Sequence, residues 1–332
     1  MTPGVQRMKV SVDKIDYYLP PKIEDNGLLQ SENPDWRMDD IVKKTGILKR
    51  HICEEGQTAL DMGALAADKL FSSPEERRSI GFLIFVTQSP DYLFPTSACI
   101  LQDRLGLDRK CLAFDVNLGC SGFVDGLAIG ASLIESGLAE RGLVICGETY
   151  SRYIQKTDRT CRPIFGDGAA AVLLSRSAKP ALGPFDFGTD GSGYQDLIVK
   201  SGGARGASEA KAPCSIFMDG AKVFMFTMDA VPKTMQAVLD KAGAKLSDVD
   251  QFIFHQASKL VIENIIRRLD LPPEKVFLNM QDIGNTVSAS IPIALKDASR
   301  QKRIKNGDLL MLVGFGVGYS WGSCLLEWGE AS

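Results

Sequence analysis

Cys120 stands in the stretch Phe114-Asp-Val-Asn-Leu-Gly-Cys-Ser-Gly-Phe-Val-Asp-Gly-Leu-Ala-Ile-Gly130. A β-prone segment runs into a turn of small residues, and a helical pattern begins just past the thiol. Phe123, Leu127, Leu133 and Ile134 continue one apolar face at roughly helical spacing. A thiol at such a corner faces the positive end of a helix dipole, which favours thiolate over thiol and predicts a nucleophile near neutral pH. Gly119, Ser121 and Gly122 leave room for a substrate to approach closely. The competing role is structural, because free cysteine is commonly a small buried apolar residue.

The chain has two histidines, His51 and His255. His255 follows the β-prone run Gln251-Phe-Ile-Phe254, at the carboxyl end of a strand, the edge where ligands of α/β sheets gather. His51 follows Lys49-Arg50 and reads as an ordinary loop or surface residue. Two further corners are rich in glycine. Residues 164–174, with Gly166-Asp-Gly168, read as a turn entering a strand. Residues 314–322 read as a tight loop between two strands, placed to aim a backbone N–H at a developing oxyanion. Neither is a nucleotide loop: the first lacks a phosphate-binding lysine, and the second does not open a helix.

Composition bounds the rest. The 332 residues suffice for two domains of ordinary size or one large α/β unit. A net charge of -3 gives no global basic field for nucleic acid. The N-terminal stretch carries Lys9, Asp13, Lys14, Asp16 and Lys22, unlike the core of a signal peptide. No apolar run reaches the length of a membrane span; Gly81 to Val86 and Leu309 to Phe315 look like buried strands. The eight cysteines show no metal-knuckle spacing and read as reduced thiols of a cytoplasmic protein.

The elements that position these residues follow one plan twice. In the first passage, strands at Gly81–Val86, before Cys120 and at Gly142–Cys146 enclose helices from about Pro95 to Leu105 and after Cys120. In the second, strands at Gln251–Phe254, Lys275–Leu278 and Asp308–Val313 enclose helices from about Lys259 to Leu269 and after Gly284-Asn-Thr286. Phe85 to Cys120 and Phe254 to Asn285 each have roughly the length of a βαβ unit. The alternation predicts buried sheets covered by helices. The duplication predicts two halves, 1–178 and 179–332, related by a pseudo-twofold axis. Cys120 and Asn285 then face one another at equivalent helix starts, with His255 at a third corner nearby. Gly188 to Gly220, rich in Gly, Ser and Ala, reads as a mobile flap over the entrance.

The set resembles the thiolase superfamily, specifically β-ketoacyl-ACP synthase III, over nearly the whole chain. The matches are Lys44-Thr-Gly-Ile47, Arg50-His-Ile52, Leu93-Phe-Pro-Thr-Ser-Ala-Cys99, Ala113-Phe-Asp-Val116, Cys120-Ser-Gly-Phe123, Thr157-Asp-Arg159, Ile164-Phe-Gly-Asp-Gly-Ala169, His255-Gln-Ala257, Gly284-Asn-Thr286 and Trp321-Gly-Ser323. The resemblance implies a fivefold-layered α/β/α/β/α fold and a homodimer. It implies Cys120, His255 and Asn285 as catalytic residues, with the N–H groups of Cys120 and Val317 as the oxyanion hole. The activity implied is decarboxylative Claisen condensation of a cysteine-bound acyl group with a malonyl thioester, using acyl-CoA or acyl-ACP and malonyl-ACP as substrates, no other cofactor and no metal. Asparagine cannot act as a base, which separates this chemistry from the proton abstraction of a thiolase. Phe94 matches the position that crosses the dimer interface and limits the partner's acyl pocket.

Some positions depart from the family pattern. Asp40 stands where a tryptophan usually stacks on the adenine of acyl-CoA, with Trp36 four residues earlier, and Leu48 replaces an arginine, whereas Arg159 matches the other adenine-side arginine. This favours an acyl-ACP donor. Leu260 replaces the carrier-docking arginine, leaving Lys259, Arg267 and Arg268 as a basic patch for an acidic carrier protein. Ser258 replaces the asparagine that usually holds a water near the histidine. The pattern points to a specialised member. Two alternatives remain open: acyl transfer from Cys120 to an amine or hydroxyl, and an inactive partner subunit of a heteromeric synthase.

Overall fold

The computed structural model describes residues 7–205 and 214–329. Two sheets repeat one plan. The first runs β1-β7-β6-β4-β5, from β1 (Val10–Tyr18), β4 (Phe82–Val86), β5 (Leu112–Val116), β6 (Arg141–Glu148) and β7 (Gly168–Arg176). Its β1, β7 and β6 alternate in direction, and β6, β4 and β5 are parallel. The second runs β8-β13-β12-β11, from β8 (Leu182–Thr189), β11 (Gln251–Phe254), β12 (Leu309–Gly316) and β13 (Ser320–Glu327). Here β8, β13 and β12 alternate, and β12 and β11 are parallel. The order and directions match strand for strand.

The expected strand at Lys275–Leu278, counterpart of β5, is absent. One parallel bridge, Phe252 to Val276, marks its place. Pro272 and Pro273 carry no N–H, and the chain turns as a 3₁₀ helix over Pro273–Lys275 before it can extend.

Helices complete the fivefold-layered fold of the thiolase type. α6 (Gly122–Glu135) and α9 (Ser290–Arg300) lie between the sheets and share one apolar core with both. α3 (Ala59–Asp68) and α5 (Ser97–Arg104) cover the outer face of the first sheet, while α7 (Gly220–Ala242) and α8 (Lys259–Leu269) cover that of the second. Three short helices, α1 (Asn26–Glu32), α2 (Met38–Thr45) and α4 (Pro74–Arg78), and two small strand pairs, β2 (Ile23–Asp25) with β3 (Lys49–His51) and β9 (Leu197–Val199) with β10 (Ile216–Met218), fill in around them. The β9–β10 pair forms the described flanks of the expected flap; residues 206–213 lie outside the described residues. His51 is not on a surface loop: it ends β3, half-buried, with Nδ1 2.6 Å from the Pro20 carbonyl.

Local sequence explains why these elements start and stop. Ser258 caps α8 by accepting from the Val261 N–H, Ile262 and Ile265 face the core, and Asp270 ends the helix in the left-handed conformation. The parallel strands β4 and β11 are buried throughout and read as nearly continuous apolar runs, whereas β5, at the sheet edge, is only half-buried.

One close approach ties the sheets to the corner at Cys120. A Cβ on Gly314 of β12 would lie 2.7 Å from Ser121 Cα and 2.9 Å from the Cys120 carbonyl oxygen. Both obstacles are backbone, so no rotamer change relieves them. Gly314→Ala is expected to lower unfolding stability by about 1–3 kcal/mol through overpacking, measured by urea denaturation. A variant as stable as the parent would show that β12 and the Cys120 turn can move apart at this point without cost.

Candidate active site

Three chain corners meet in one cavity of about 860 Å³ that Cys120, His255 and Asn285 all line. Each side chain is set by a backbone element. Cys120 sits in the turn between β5 and α6. His255 extends β11, its N–H donating to the Val313 carbonyl at 2.8 Å. Asn285 exchanges backbone hydrogen bonds with the glycine-rich corner at 164–168: its N–H donates to Ile164 and its carbonyl accepts from Gly166, both at 2.9 Å. That corner therefore holds the asparagine loop, with the Asp167 carboxylate accepting from the Cys53 and Ser151 N–H groups.

The orientation of Asn285 follows from its partners. Oδ1 accepts from the Val287 N–H at 2.8 Å, so Nδ2 is turned toward His255 Nε2, 3.4 Å away. Val287 makes this possible from a left-handed backbone, φ +54°. Few β-branched residues adopt that conformation, and it costs on the order of 1–3 kcal/mol. On the other side of the imidazole, Nδ1 lies 2.7 Å from the Ser290 hydroxyl, which accepts from the Gln256 N–H at 3.4 Å. A hydroxyl that accepts there is free to donate to Nδ1, which leaves the ring proton on Nε2. The Phe315 ring meets the imidazole edge-on, with centroids 5.5 Å apart.

Burial decides the ionisation of this group. His255 is held well below its usual value, to about 3, because its charged form would be stripped of water; a hydrogen bond with the Val287 backbone opposes this only partly. The imidazole is neutral. Burial likewise pushes the Cys120 thiol up to about 12; Glu148 adds to the rise, and hydrogen bonds from the Val317 and Cys120 N–H groups oppose it. The sequence expectation of a resting thiolate is thus corrected. A helix N-terminus supplies at most about 2 kcal/mol, and each pKa unit corresponds to about 1.4 kcal/mol, so desolvation wins. The resting side chain is a thiol, packed against Gly316, where an added Cβ would lie 2.8 Å from Sγ.

The other expected residues are spread around this centre. Arg159 and Ser258 line the same cavity, as do Asp40 and Lys44. Asp40 pairs with Arg37 at 3.2 Å. Phe94 does not enter its own chain's cavity: it is 85 % exposed, beside exposed Tyr92 and Leu93. Lys259 opens α8 next to the cavity and pairs loosely with Glu263 at 3.7 Å, while Arg267 and Arg268 are exposed on its last turn. Among the described residues, no cluster of His, Cys, Asp and Glu is placed to hold a metal ion, and no helix is long and apolar enough to cross a membrane. All eight cysteines are free.

Two residues of the site carry no obvious signal in the sequence. Ser290 is one of many serines. Glu148 lies at the carboxyl end of β6, the same kind of edge that singles out His255. It is fully buried and takes the Ser89 and Ser288 hydroxyls, each at 2.9 Å, and the Gln88 N–H. It joins the first half of the chain to the turn that follows Asn285.

The layered fold, with cysteine, histidine and asparagine at its central corners, defines a thiolase-fold enzyme of the acyltransferase class. Two family models match the chain: 3-oxoacyl-[acyl-carrier-protein] synthase III over residues 114–191, and the C-terminal part of the same family over 239–328. A β-ketoacyl-[acyl-carrier-protein] synthase III of Neisseria gonorrhoeae is 38% identical over 312 residues, covering 94% of this chain and 97% of its own. One from Methylococcus capsulatus is 36% identical over 315 residues, covering 94% and 96%. The crystal structure of a 3-oxoacyl-(acyl-carrier protein) synthase from Burkholderia xenovorans superposes with a TM-score of 0.93 at 35% identity, covering 100% of this chain and 98% of that one. The chain belongs to the β-ketoacyl-ACP synthase III family.

Glu148 yields a stability test. Burial raises its carboxyl to about 8, so it carries a proton at neutral pH. A raised carboxyl contributes fully below its unfolded pKa of about 4.3, and that contribution is lost as pH climbs toward 8. Glu148→Gln removes the dependence. Between about pH 5 and 9, unfolding free energies are expected to shift in the variant's favour by a few kcal/mol. A difference that stays constant with pH would mean the carboxyl is ionised in the folded protein throughout.

Proposed function

We propose that Cys120 takes an acyl group from a thioester donor and that the chain condenses it with a malonyl thioester, releasing carbon dioxide and forming a carbon–carbon bond. The observation that carries this reading is the pairing of Asn285 Nδ2 with His255 Nε2 in the cavity that Cys120 lines. Two neutral donors side by side suit an oxygen that gains negative charge.

In the first half, sulfur attacks the donor carbonyl while the thiol proton is delivered to the donor's own sulfur; His255, whose Nε2 already carries a proton, does not take it. No resting thiolate–imidazolium pair exists, because burial shifts both groups toward their neutral forms. Proton transfer and C–S bond formation therefore occur together. The oxyanion is met by the N–H groups of Cys120 and Val317, and the donor's thiol departs with the proton. In the second half, the malonyl carbonyl oxygen lies between His255 Nε2–H and Asn285 Nδ2–H. Loss of carbon dioxide leaves an enolate there; its carbon attacks the acyl group and Cys120 is released. Catalysis is the extra strength with which these two donors hold the enolate over the ketone-like ground state. Ser290, by donating to Nδ1, keeps the proton on Nε2.

The finer assignments are inferences of the same kind. The donor is acyl-CoA or acyl-ACP, and Arg159 and Ser258 flank its path. Lys259, Arg267 and Arg268 offer an acidic carrier protein a basic face beside the cavity. A homodimer is supported by the consecutive exposed side chains of Tyr92, Leu93 and Phe94 and by the unpaired outer edge of β5, with Phe94 reaching the partner's acyl pocket. The enzyme works in the cytoplasm and needs no cofactor beyond its substrates. A division into halves at 178/179 is supported by the matched strand orders of the two sheets.

Asn285→Ala separates the two halves of the reaction. Acylation of Cys120, followed by intact mass, is expected to stay within about threefold of the parent. Carbon dioxide release from malonyl-ACP is expected to fall by about 10²–10³, the usual effect of removing one such donor. Equal losses in both assays would contradict the role given to Asn285. Cys120→Ser should gain no thioester mass, and a parent chain that gains none would be an inert subunit.

A further inference from the structure

A second cavity, of about 610 Å³, adjoins the first, with Leu197 lining both. It reaches close to the nucleophile: a Cβ on Gly119 would lie 2.5 Å from Gln88 Oε1 and 2.9 Å from Val317 Cγ1, and both of those residues line the cavity. Tyr150, also in its wall, packs in the same buried cluster as Cys120.

Leu93, Leu197, Ile198, Val199, Ile216 and Val317 make part of this wall apolar, but polar groups stand among them. The Tyr150 hydroxyl donates to Gln88 Oε1 at 2.5 Å. Its proton is thereby committed, and its oxygen remains an acceptor. Gln88 Nε2 has no partner among the described residues and is not among the atoms sealed from solvent. The carboxamide of Asn117, another wall residue, has no side-chain partner among the described residues either. An alkyl chain laid here would strip water from these groups and return no hydrogen bond. A carboxylated chain fares worse. Among the described wall residues there is no lysine or arginine, and the one acidic residue is Asp91, whose Oδ1 is already buried without a partner.

We propose that this cavity receives the acyl group carried by Cys120 and selects short neutral acyl groups that bear a hydroxyl or carbonyl oxygen over plain alkyl and carboxylated ones. The inference rests on the reading of Cys120 as the acylated residue. Gln88 Nε2–H donates to the substrate oxygen, and a substrate hydroxyl donates in turn to Tyr150 Oη. The loading step is a simple exchange: the acyl–sulfur bond of the donor breaks, the acyl–Cys120 bond forms, and the thiol proton leaves on the donor's sulfur.

The test measures the rate of Cys120 acylation by intact mass, using butyryl, 3-hydroxybutyryl and succinyl groups, each as its CoA thioester and on acyl carrier protein. Labelling by 3-hydroxybutyryl is expected to exceed that by butyryl about tenfold, the effect of one or two added hydrogen bonds, with succinyl slowest. Butyryl labelling at an equal or greater rate, or succinyl ahead of 3-hydroxybutyryl, overturns the proposal and leaves the acyl-cysteine reading standing. Gln88→Leu and Tyr150→Phe are each expected to bring the 3-hydroxybutyryl to butyryl ratio toward one. That ratio is internal to each variant, so partial loss of folded protein cancels. A parental ratio in both variants overturns the assignment. No labelling by any of the donors, or labelling that survives Cys120→Ser, overturns the acyl-cysteine reading itself and the proposal with it.

Discussion

Burial of the side chains at the floor of one cavity governs the chemistry of this protein. Inside it a thiol and an imidazole are both driven to their uncharged forms, the thiol upward and the imidazole downward. A charge that appears on these buried groups is poorly solvated and is met by fixed donors. The surrounding hydrogen bonds make sense as preparations for that moment. Val287 takes up the acceptor end of the Asn285 carboxamide, leaving its donor end to the cavity. Ser290 does the same for the inner nitrogen of His255. The strained backbone at Val287 is the cost of that orientation, held in place by packing on every side.

These preparations depend on elements distant in sequence. The glycine corner at 164–168 pairs with the Asn285 backbone, β12 passes within backbone contact of the Cys120 turn, and Glu148 reaches from the end of β6 to Ser288. Each contact joins one sheet's half of the chain to the other's. The site therefore has no existence in either half alone. It forms where the two copies of the plan meet, with α6 and α9 packed between them.

Much of this was legible in one dimension. A strand–turn–helix corner marked Cys120, a strand end marked His255 because ligands of α/β sheets collect at that edge, and the helix expected from about Lys259 to Leu269 has those bounds. The repeated order of elements announced the layers. What escaped was whatever depends on three-dimensional burial. Helix polarity argued for a thiolate at Cys120, and desolvation reverses that. Ser290 and Glu148 are ordinary residue types whose meaning lies in their neighbours. A β-prone run at Lys275–Leu278 looked like a strand, but paired prolines spoiled its entry. His51 looked like a surface residue because nothing local announces the β2–β3 pair.

The lost strand has a consequence for assembly. A duplicated chain whose halves both ended in open, strand-ready margins would invite further copies at two places, and such addition can propagate into filaments. Here one margin, at β5, is intact, while its counterpart is reduced to a lone bridge and a tight turn that offer no template. Divergence between the halves thus makes these two corresponding margins unequal: an added strand would find a template at β5 but no matching one beside β11.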